Sequence, residues 1–417
     1  MTPSVLIWFR NDLRPTDHPA LHAACTSGLR PIPVFIEEPW RTEASPWLDG
    51  RSALGARRAQ FVAEGVHALQ EALGGLLVRR GEPAAVLAAL AKEYGATQVH
   101  CTAGHAPYER NDEAAVAARL DLVRHEGATL LHPDDLPFDL ADTPEVFTRF
   151  RNKVERKWKV RPALPAPEVA VDVPKEAQAV TAKEPVDARL ALPYDGSHQA
   201  ARARLHHYLD GTRALSTYKE TRNGLIGADY SSKFSPWLAS GALGPRETYE
   251  AIRAYEATHG ANDSTYWLVF ELLWRDYFAF VARQFGPRLY AGSGLRADAP
   301  PPKWNSRART AFDRWSRGAT GQPFVDACLH ELNSTGFLSN RGRQVAASYL
   351  VHDLGVDWRA GAAWFEHHLI DHDPASNAGN WLYIAGRGND PRPVRRFNPE
   401  GQAERYDPDG AYRALWA

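Results

Sequence analysis

The stretch DHDPASNAGNWLYIAGRGNDPR, from Asp371 to Arg392, gathers acids, amides and glycines around a single Trp-Leu-Tyr. An ordinary core helix is not composed this way, because buried amides and carboxylates cost free energy unless they are hydrogen-bonded. The acids and amides can satisfy the edge of a flat heterocycle, and the glycines let backbone approach it closely. The same letters also fit a polar loop followed by a capped helix. The surroundings decide between the two.

Strand signals are absent from about Ser197 onward. YWLVFELLWRDYFAFVARQF (266–285) predicts a helix buried on most sides, and RGRQVAASYLVHDLG (341–355) and DWRAGAAWFEHHLI (357–370) predict two more. The first third alternates instead. SVLIWF (4–9), PIPVFI (31–36), LLVRR (76–80), TQVHC (97–101) and ATLLH (128–132) read as short buried strands. Helical patterns run near Arg57 to Leu73, Pro83 to Glu93 and Asn111 to Arg124. This alternation implies a parallel sheet covered on both faces. No GxGxxG follows the first strand, so the usual dinucleotide fingerprint is missing. Pro recurs and periodicity fades from Arg161 to Gly196, which reads as a connector. The predicted architecture is α/β + all-α: a Rossmann-like parallel-sheet domain at 1–135, a long linker at 136–196 and a helical domain at 197–417.

A chain of 417 residues exceeds one ordinary core. Its formal net charge is −1, so any nucleic-acid site must be a local basic patch. Thirteen Trp could serve cores, stacking surfaces or electron hopping, and the count does not separate these. The three cysteines (Cys25, Cys101 and Cys328) lie far apart with no CxxC, which excludes a disulfide framework and a Cys-ligated iron–sulfur cluster. No metal ligand set is read. The first apolar run meets Arg10 at once and is too short for a signal peptide or a membrane span, so a cytoplasmic protein without a membrane partner is expected.

Three further stretches carry unusual chemistry. Ser231, Ser232, Lys233, Phe234 and Ser235 precede Pro236, a residue suited to a first helical turn. Hydroxyls and free N–H groups there suit a phosphate, and equally a plain Ser N-cap. FELLWRDYF (270–278) places Glu271, Trp274 and Arg275 in an apolar helix. Glu271 can pair with Arg275 four residues on, or share a face with Trp274 and be desolvated, which raises its pKa and lets it donate a hydrogen bond. Asn340, Arg341, Arg343 and Gln344 crowd a helix start, where cations oppose the helix dipole and so answer something negative.

Together these stretches resemble the photolyase/cryptochrome family, most closely its cryptochrome-DASH branch. The resemblance rests on WFRNDLRPTDHPAL (8–21), EVFTRFRNKVE (145–155), TYKETRNGLIGADYSSKFSPWLASGAL (217–243), ELLWRDYF (271–278), ELNSTGFLSNRGRQVAASYLVHDLGVDW (331–358), GNWLYIAGRGNDPR (379–392) and YDPDGAYRALW (406–416). It spans nearly the whole chain. It implies an N-terminal α/β domain, a linker and a helical domain that holds FAD in a U-shape.

Carried over by residue, the resemblance gives Tyr218 and Ser231 to Ser235 to the diphosphate. It makes Asp371 and Arg343 an ion pair beside the isoalloxazine and Asp373 a polar partner for the flavin and adenine side. Asn377 faces flavin N5, where an amide can serve either protonation state; signalling members tend to carry Cys or Asp there. Trp381, Trp358 and Trp304 match an electron-hopping chain from flavin to surface, although the spacing around Trp304 departs by one residue from the commonest pattern. Thirteen Trp also leave room for three packed anchors.

The implied activity is blue-light repair of cyclobutane pyrimidine dimers by an electron from reduced FAD. Glu271 would bond the dimer, Trp274 and Tyr383 would stack on it, and Arg222, Lys233, Arg275, Asn340, Arg341 and Gln344 would line the DNA side. Duplex-repairing members usually have Trp at the position of Tyr383 and Met at that of Gln344, so dimers in single-stranded DNA are the expected partner, bound by a monomer. A methenyltetrahydrofolate antenna would meet Glu109 in HAPYERNDEAA (105–115), a motif that also fits a solvated helix start. The alternatives are a blue-light signalling receptor, which such members often extend with a C-terminal tail, and a plain nucleotide-binding protein, which leaves the helical half unexplained.

Overall fold

The computed structural model describes residues 3–168, 171, 173, 184–296, 300, 302–389 and 396–417. Asp390, Pro391 and Arg392 of the opening stretch lie outside these residues, as does part of the Pro-rich connector.

Strand β1 (Ser4–Phe9) is buried along its full length. It is the middle strand of a parallel sheet with β2 (Arg30–Glu37), β3 (Leu77–Arg80), β4 (Ala96–Thr102) and β5 (Asp121–His125), in the order β3-β2-β1-β4-β5. Successive side chains of a strand point to opposite faces. Val5, Ile7 and Phe9 pack with Leu21 and Ala24 of α1 (Pro19–Thr26) and with Val66 and Leu69 of α2 (Ala56–Leu73). Leu6 and Trp8 pack with Leu87 and Leu90 of α3 (Pro83–Tyr94) and Val116 of α4 (Pro107–Ala117). A strand covered on both faces must be apolar throughout, which is why SVLIWF shows no alternation.

The fifth strand is not ATLLH. Strand β5 occupies residues expected to continue the third helix, which ends instead at Ala117. DLVRH forms an edge strand on β4, half exposed and carrying Asp121 and Arg124, as edge strands do. Leu130 and Leu131 of ATLLH are buried for another reason: their N–H groups donate to the Asp276 carboxylate at 2.9 and 2.7 Å.

Helix α5 (Phe147–Arg156) lies within the segment expected as linker, yet its Phe147, Phe150 and Val154 join the core of the helical half. That half consists of α6 (His198–His206), α7 (Tyr218–Thr221), α8 (Ser235–Ser240), α9 (Pro245–His259), α10 (Asp263–Phe285), α11 (Ser306–Ser316), α12 (Pro323–Thr335), α13 (Asn340–Ser348), α14 (Trp358–His368), α15 (Pro374–Ile384), α16 (Pro399–Tyr406) and α17 (Ala411–Leu415). Helix α10 runs through the middle, packed by Leu273, Tyr277 and Phe280 against the larger core. Among the described residues no helix is long and apolar enough to cross a membrane.

The two halves are joined by buried polar ties. The Arg14 guanidinium donates to the carbonyls of Asp17, Gly127 and Gly241 at 2.8–2.9 Å, crossing from one half to the other. Gly241 has φ 71°, and a Cβ there would lie 2.2 Å from the Asn11 carbonyl oxygen, so only glycine permits this approach. Arg246 of α9 pairs with Asp17 at 2.5 Å, and Arg283 of α10 grips Glu126 at 2.8 and 2.9 Å. Arg275 was expected at the DNA rim. It donates instead to the carbonyls of Ala128 and Leu238, so it is one of these ties.

Burial holds the Asp276 carboxyl up to about 7, against the pull of two backbone N–H bonds and of Arg275. A carboxyl whose folded pKa exceeds its unfolded value takes up a proton on folding. Its contribution to stability is present below the unfolded value and is lost as pH rises through about 7. The thermal midpoint should therefore fall from mildly acidic to mildly alkaline buffer. Asp276→Asn should flatten that fall and lower the acidic midpoint, because an amide NH2 then faces a backbone N–H, a mismatch of about 1–3 kcal/mol. A midpoint that rises across this range in the parent alone would reverse the assignment.

Candidate functional site

Asp371 lies three residues past the end of α14 and is only 7% exposed. A buried carboxylate needs compensation. Arg343 of α13 supplies it at 2.7 Å, and the Ser235 hydroxyl at the start of α8 donates to the same oxygen at 2.6 Å. Three segments distant in sequence thus converge on one oxygen. The other, Oδ1, is buried with no partner.

The plain N-cap reading of Ser231–Ser235 does not hold. Helix α8 has only six residues, its N-cap is Phe234 without a side-chain cap, and the Ser235 hydroxyl is given to Asp371. The loop before it is fixed by Arg204, which donates to the carbonyls of Ala228, Ser231 and Ser232. Lys233 adopts φ 54°, a left-handed conformation unusual for a side-chain-bearing residue. Its ammonium lies 4.2 Å above the Tyr230 ring and 4.9 Å above Phe337, and burial brings it down to about 8 against the pull of Glu331.

Asp373 caps α15, accepting from the Ser376 N–H at 2.7 Å. One turn on, Asn377 donates its amide nitrogen to the Ala362 carbonyl of α14 at 3.0 Å. Trp381 follows, 2% exposed. A Cβ on Gly361 would lie 2.2 Å from its ring, so the glycine lets α14 and α15 close over the indole.

A second group of residues forms around Glu271. It pairs with Arg222, which follows α7, and not with Arg275 on its own helix. Burial raises the Glu271 pKa, and Arg222 opposes the rise. Tyr218 is buried beside both. Burial and the Glu271 charge push its phenol well above the usual range, while a hydrogen bond to Arg222 pulls it down. Tyr218 thus sits with Glu271 and Arg222, whereas the Ser231–Ser235 loop is tied to Arg204 and Asp371. Trp274 stacks on Phe147 at 3.6 Å and 10°, which leaves it one free face at most.

Asn340 is exposed at the start of α13. Arg341 reaches the amide oxygens of Asn223 and Gln402 at 3.2 and 3.3 Å and lies 4.7 Å from the Tyr406 ring. Gln344 is half-buried, its Oε1 without a partner, and Tyr383 is half-buried against the main core. Glu109 does lie in the first turn of α4, but it is partly buried and tied there, not left to solvent. Its carboxylate accepts from the His105 and Ala106 N–H groups at 2.9 Å each and from Asn11 at 3.1 Å. With Arg10 and Glu113, paired at 2.6 Å, it fills the crevice between the ends of β1 and β4.

Trp358 is buried and donates to the Gly292 carbonyl at 3.2 Å. Trp381 touches Phe365 at 5.0 Å and Trp315 at 6.4 Å; Trp304 touches Trp47 at 5.1 Å and Phe312 at 5.7 Å. Among the described residues no ring contact joins Trp358 to either, though all three belong to one core. Sequence reasoning missed Arg204, Phe147 and Trp47. Phe147, Phe150 and Val154 repeat at helical spacing and were readable; the other two contacts form only in the fold.

Among the described residues the Asp371 Oδ1 is a buried acceptor left without a partner, which a ligand that donates hydrogen bonds would satisfy. Comparison with known proteins agrees. A family model described as DNA photolyase matches residues 5–168, and one described as the FAD binding domain of DNA photolyase matches residues 267–417. The cryptochrome DASH of Gloeobacter violaceus is 45% identical, the match covering 100% of this chain and 85% of the relative. A solved Synechocystis cryptochrome superposes with a TM-score of 0.93 at 42% identity, covering 99% of this chain and 88% of that one. A class III photolyase from Agrobacterium tumefaciens gives 0.84 at 29%, covering 100% and 86%. From its first strand to its last helix, the chain belongs to the photolyase/cryptochrome family, among relatives that are cryptochromes DASH.

Proposed function

We propose that the protein is a blue-light-driven lyase that repairs cyclobutane pyrimidine dimers with FAD and prefers them in single-stranded DNA. The observation that carries this is the buried Asp371 carboxylate, compensated on one oxygen and open on the other, in a half that matches the FAD binding domain of DNA photolyase. FAD, when bound and fully reduced, supplies the photoexcited electron that splits the dimer. Arg343 and Asp371 would hold the isoalloxazine and the Ser231–Ser235 loop the diphosphate. Asn377 spends one amide N–H on Ala362, which fixes its orientation and leaves its oxygen and its second N–H for a flavin edge.

Glu271 would meet the dimer carbonyls. Its raised pKa lets a proton be shared there and so offsets developing negative charge. Arg222 keeps it oriented. Trp274 would offer the face that Phe147 leaves, and Tyr383 the opposite wall. Arg341 meets amides and rings, not a carboxylate, among the described residues, so its charge is available to a backbone phosphate. Trp381, Trp358 and Trp304 would carry electrons inward when the flavin needs reducing.

The reading is tested by blue-light repair of one dimer in matched single-stranded and duplex oligonucleotides at one salt concentration. Tyr stacks less than Trp, by about 1 kcal/mol, and Gln344 makes the wall polar. Extruding a dimer from a duplex costs roughly a few kcal/mol more than from a single strand. Repair should therefore favour the single strand clearly, and Tyr383→Trp with Gln344→Met should narrow the gap. Equal repair of both substrates would remove the preference, and bound flavin without repair of either would leave a light receptor.

Photoreduction gives a second test. Trp358→Phe should slow photoreduction of oxidised flavin sharply and spare repair by chemically reduced protein, whose electron starts on the flavin. Parent-like photoreduction in Trp358→Phe would reject the relay.

A further inference from the structure

Trp304, expected as the surface end of the relay, packs against a further indole. Trp47 covers it edge-on at 5.1 Å. Trp47 comes from the other half of the molecule, on the loop between β2 and α2. Its neighbour Leu48 is 3% exposed and anchors that loop in the helical core, while Pro46, Asp49 and Gly50 are exposed. Trp47 itself is half-buried. The contact is thus held by packing at one edge and open to water at the other.

The two indoles differ in what they can do with a positive hole. The Trp304 Nε1 is buried and has no partner among the described residues, so a radical cation there has no neighbouring side chain of that set to take its proton. Arg309 also lies 5.1 Å over that ring, its nearest carboxylate (Asp49) 3.9 Å away and both exposed. A cation so placed opposes further positive charge. Arg359 lies 4.8 Å over Trp47, but the buried Asp357 carboxylate holds it at 2.8 Å and offsets its charge.

We propose that Trp47 is the terminal electron donor of this protein, a redox site contributed by the α/β half to the flavin in the helical half. The proposal rests on the relay described above. With FAD bound, Trp381 would give one electron to its photoexcited oxidised ring, and one-electron transfers inward would move the hole out to Trp47. The Trp47 radical cation then releases its Nε1 proton to water and becomes a neutral indolyl radical. An external thiol returns an electron and a proton, restoring Trp47 and leaving a thiyl radical. Loss of the proton blocks the return of the electron, which Trp304 alone cannot do.

The test is flash absorption of the FAD-loaded protein in its oxidised state. The parent should form a long-lived neutral indolyl signal. Trp47→Phe should lose it, the hole recombining from Trp304. Trp47→Tyr, which keeps a ring beneath Arg359 and guards against a loop disturbed by Phe, should show a tyrosyl signature in its place. Prolonged illumination in air followed by peptide mass mapping should find oxygenated tryptophan chiefly at Trp47. Unchanged indolyl lifetime in Trp47→Phe, with photoreduction abolished in Trp304→Phe, would overturn the proposal and leave the relay ending at Trp304. Parent-like photoreduction in both Trp304→Phe and Trp358→Phe would remove the relay itself, and the role of Trp47 with it.

Discussion

A carboxylate that is 7% exposed must be paid for elsewhere in the structure, and Asp371 is the group around which this helical half is arranged. Arg343 can reach it only because α13 begins with a run of cations that its own dipole disfavours. Ser235 can reach it only because the preceding loop is held by Arg204 and turns through a left-handed Lys233. Removing Arg343 would leave the Asp371 charge uncompensated in the interior. Such an arrangement is a poor way to gain stability and a good way to fix a polar ligand, because the unpartnered oxygen is held in place before anything binds.

The same economy joins the halves. Arg14 satisfies three carbonyls at the junction and Asp276 two N–H groups, so the interface is polar, buried and specific in register. Gly241 allows the backbones to meet. Close docking has a consequence beyond rigidity. It brings the Leu48 loop into the helical core and sets Trp47 against Trp304, so an electron path that starts in one half can finish in the other.

Much of this was legible in the residues. Four of five strands and the long helices follow from apolar runs and their period. The polar motifs pointed to a ligand because their cost in a plain core was evident. What was misread has a common cause. ATLLH is apolar because Leu130 and Leu131 pack into the cores while Asp276 takes their N–H groups, and DLVRH is mixed because it is an edge, so periodicity favours the wrong segment as a strand. Arg275 looked like a phosphate ligand until the carbonyls of Ala128 and Leu238 were found beside it. Glu271 was four residues from one arginine and paired with another. Each depends on contacts between residues far apart in the chain, which composition and spacing do not encode.

Flavin retention depends most directly on Asp371. Purified protein would be loaded with FAD in the dark, freed of excess by gel filtration and measured for bound flavin by absorbance, beside Asp371→Asn treated identically. The parent should keep close to stoichiometric FAD and the variant lose most of it, because the amide can neither neutralise Arg343 nor offer two carboxylate oxygens. A parent that elutes without flavin, or a variant that holds FAD as tightly as the parent, would contradict the central place given to Asp371.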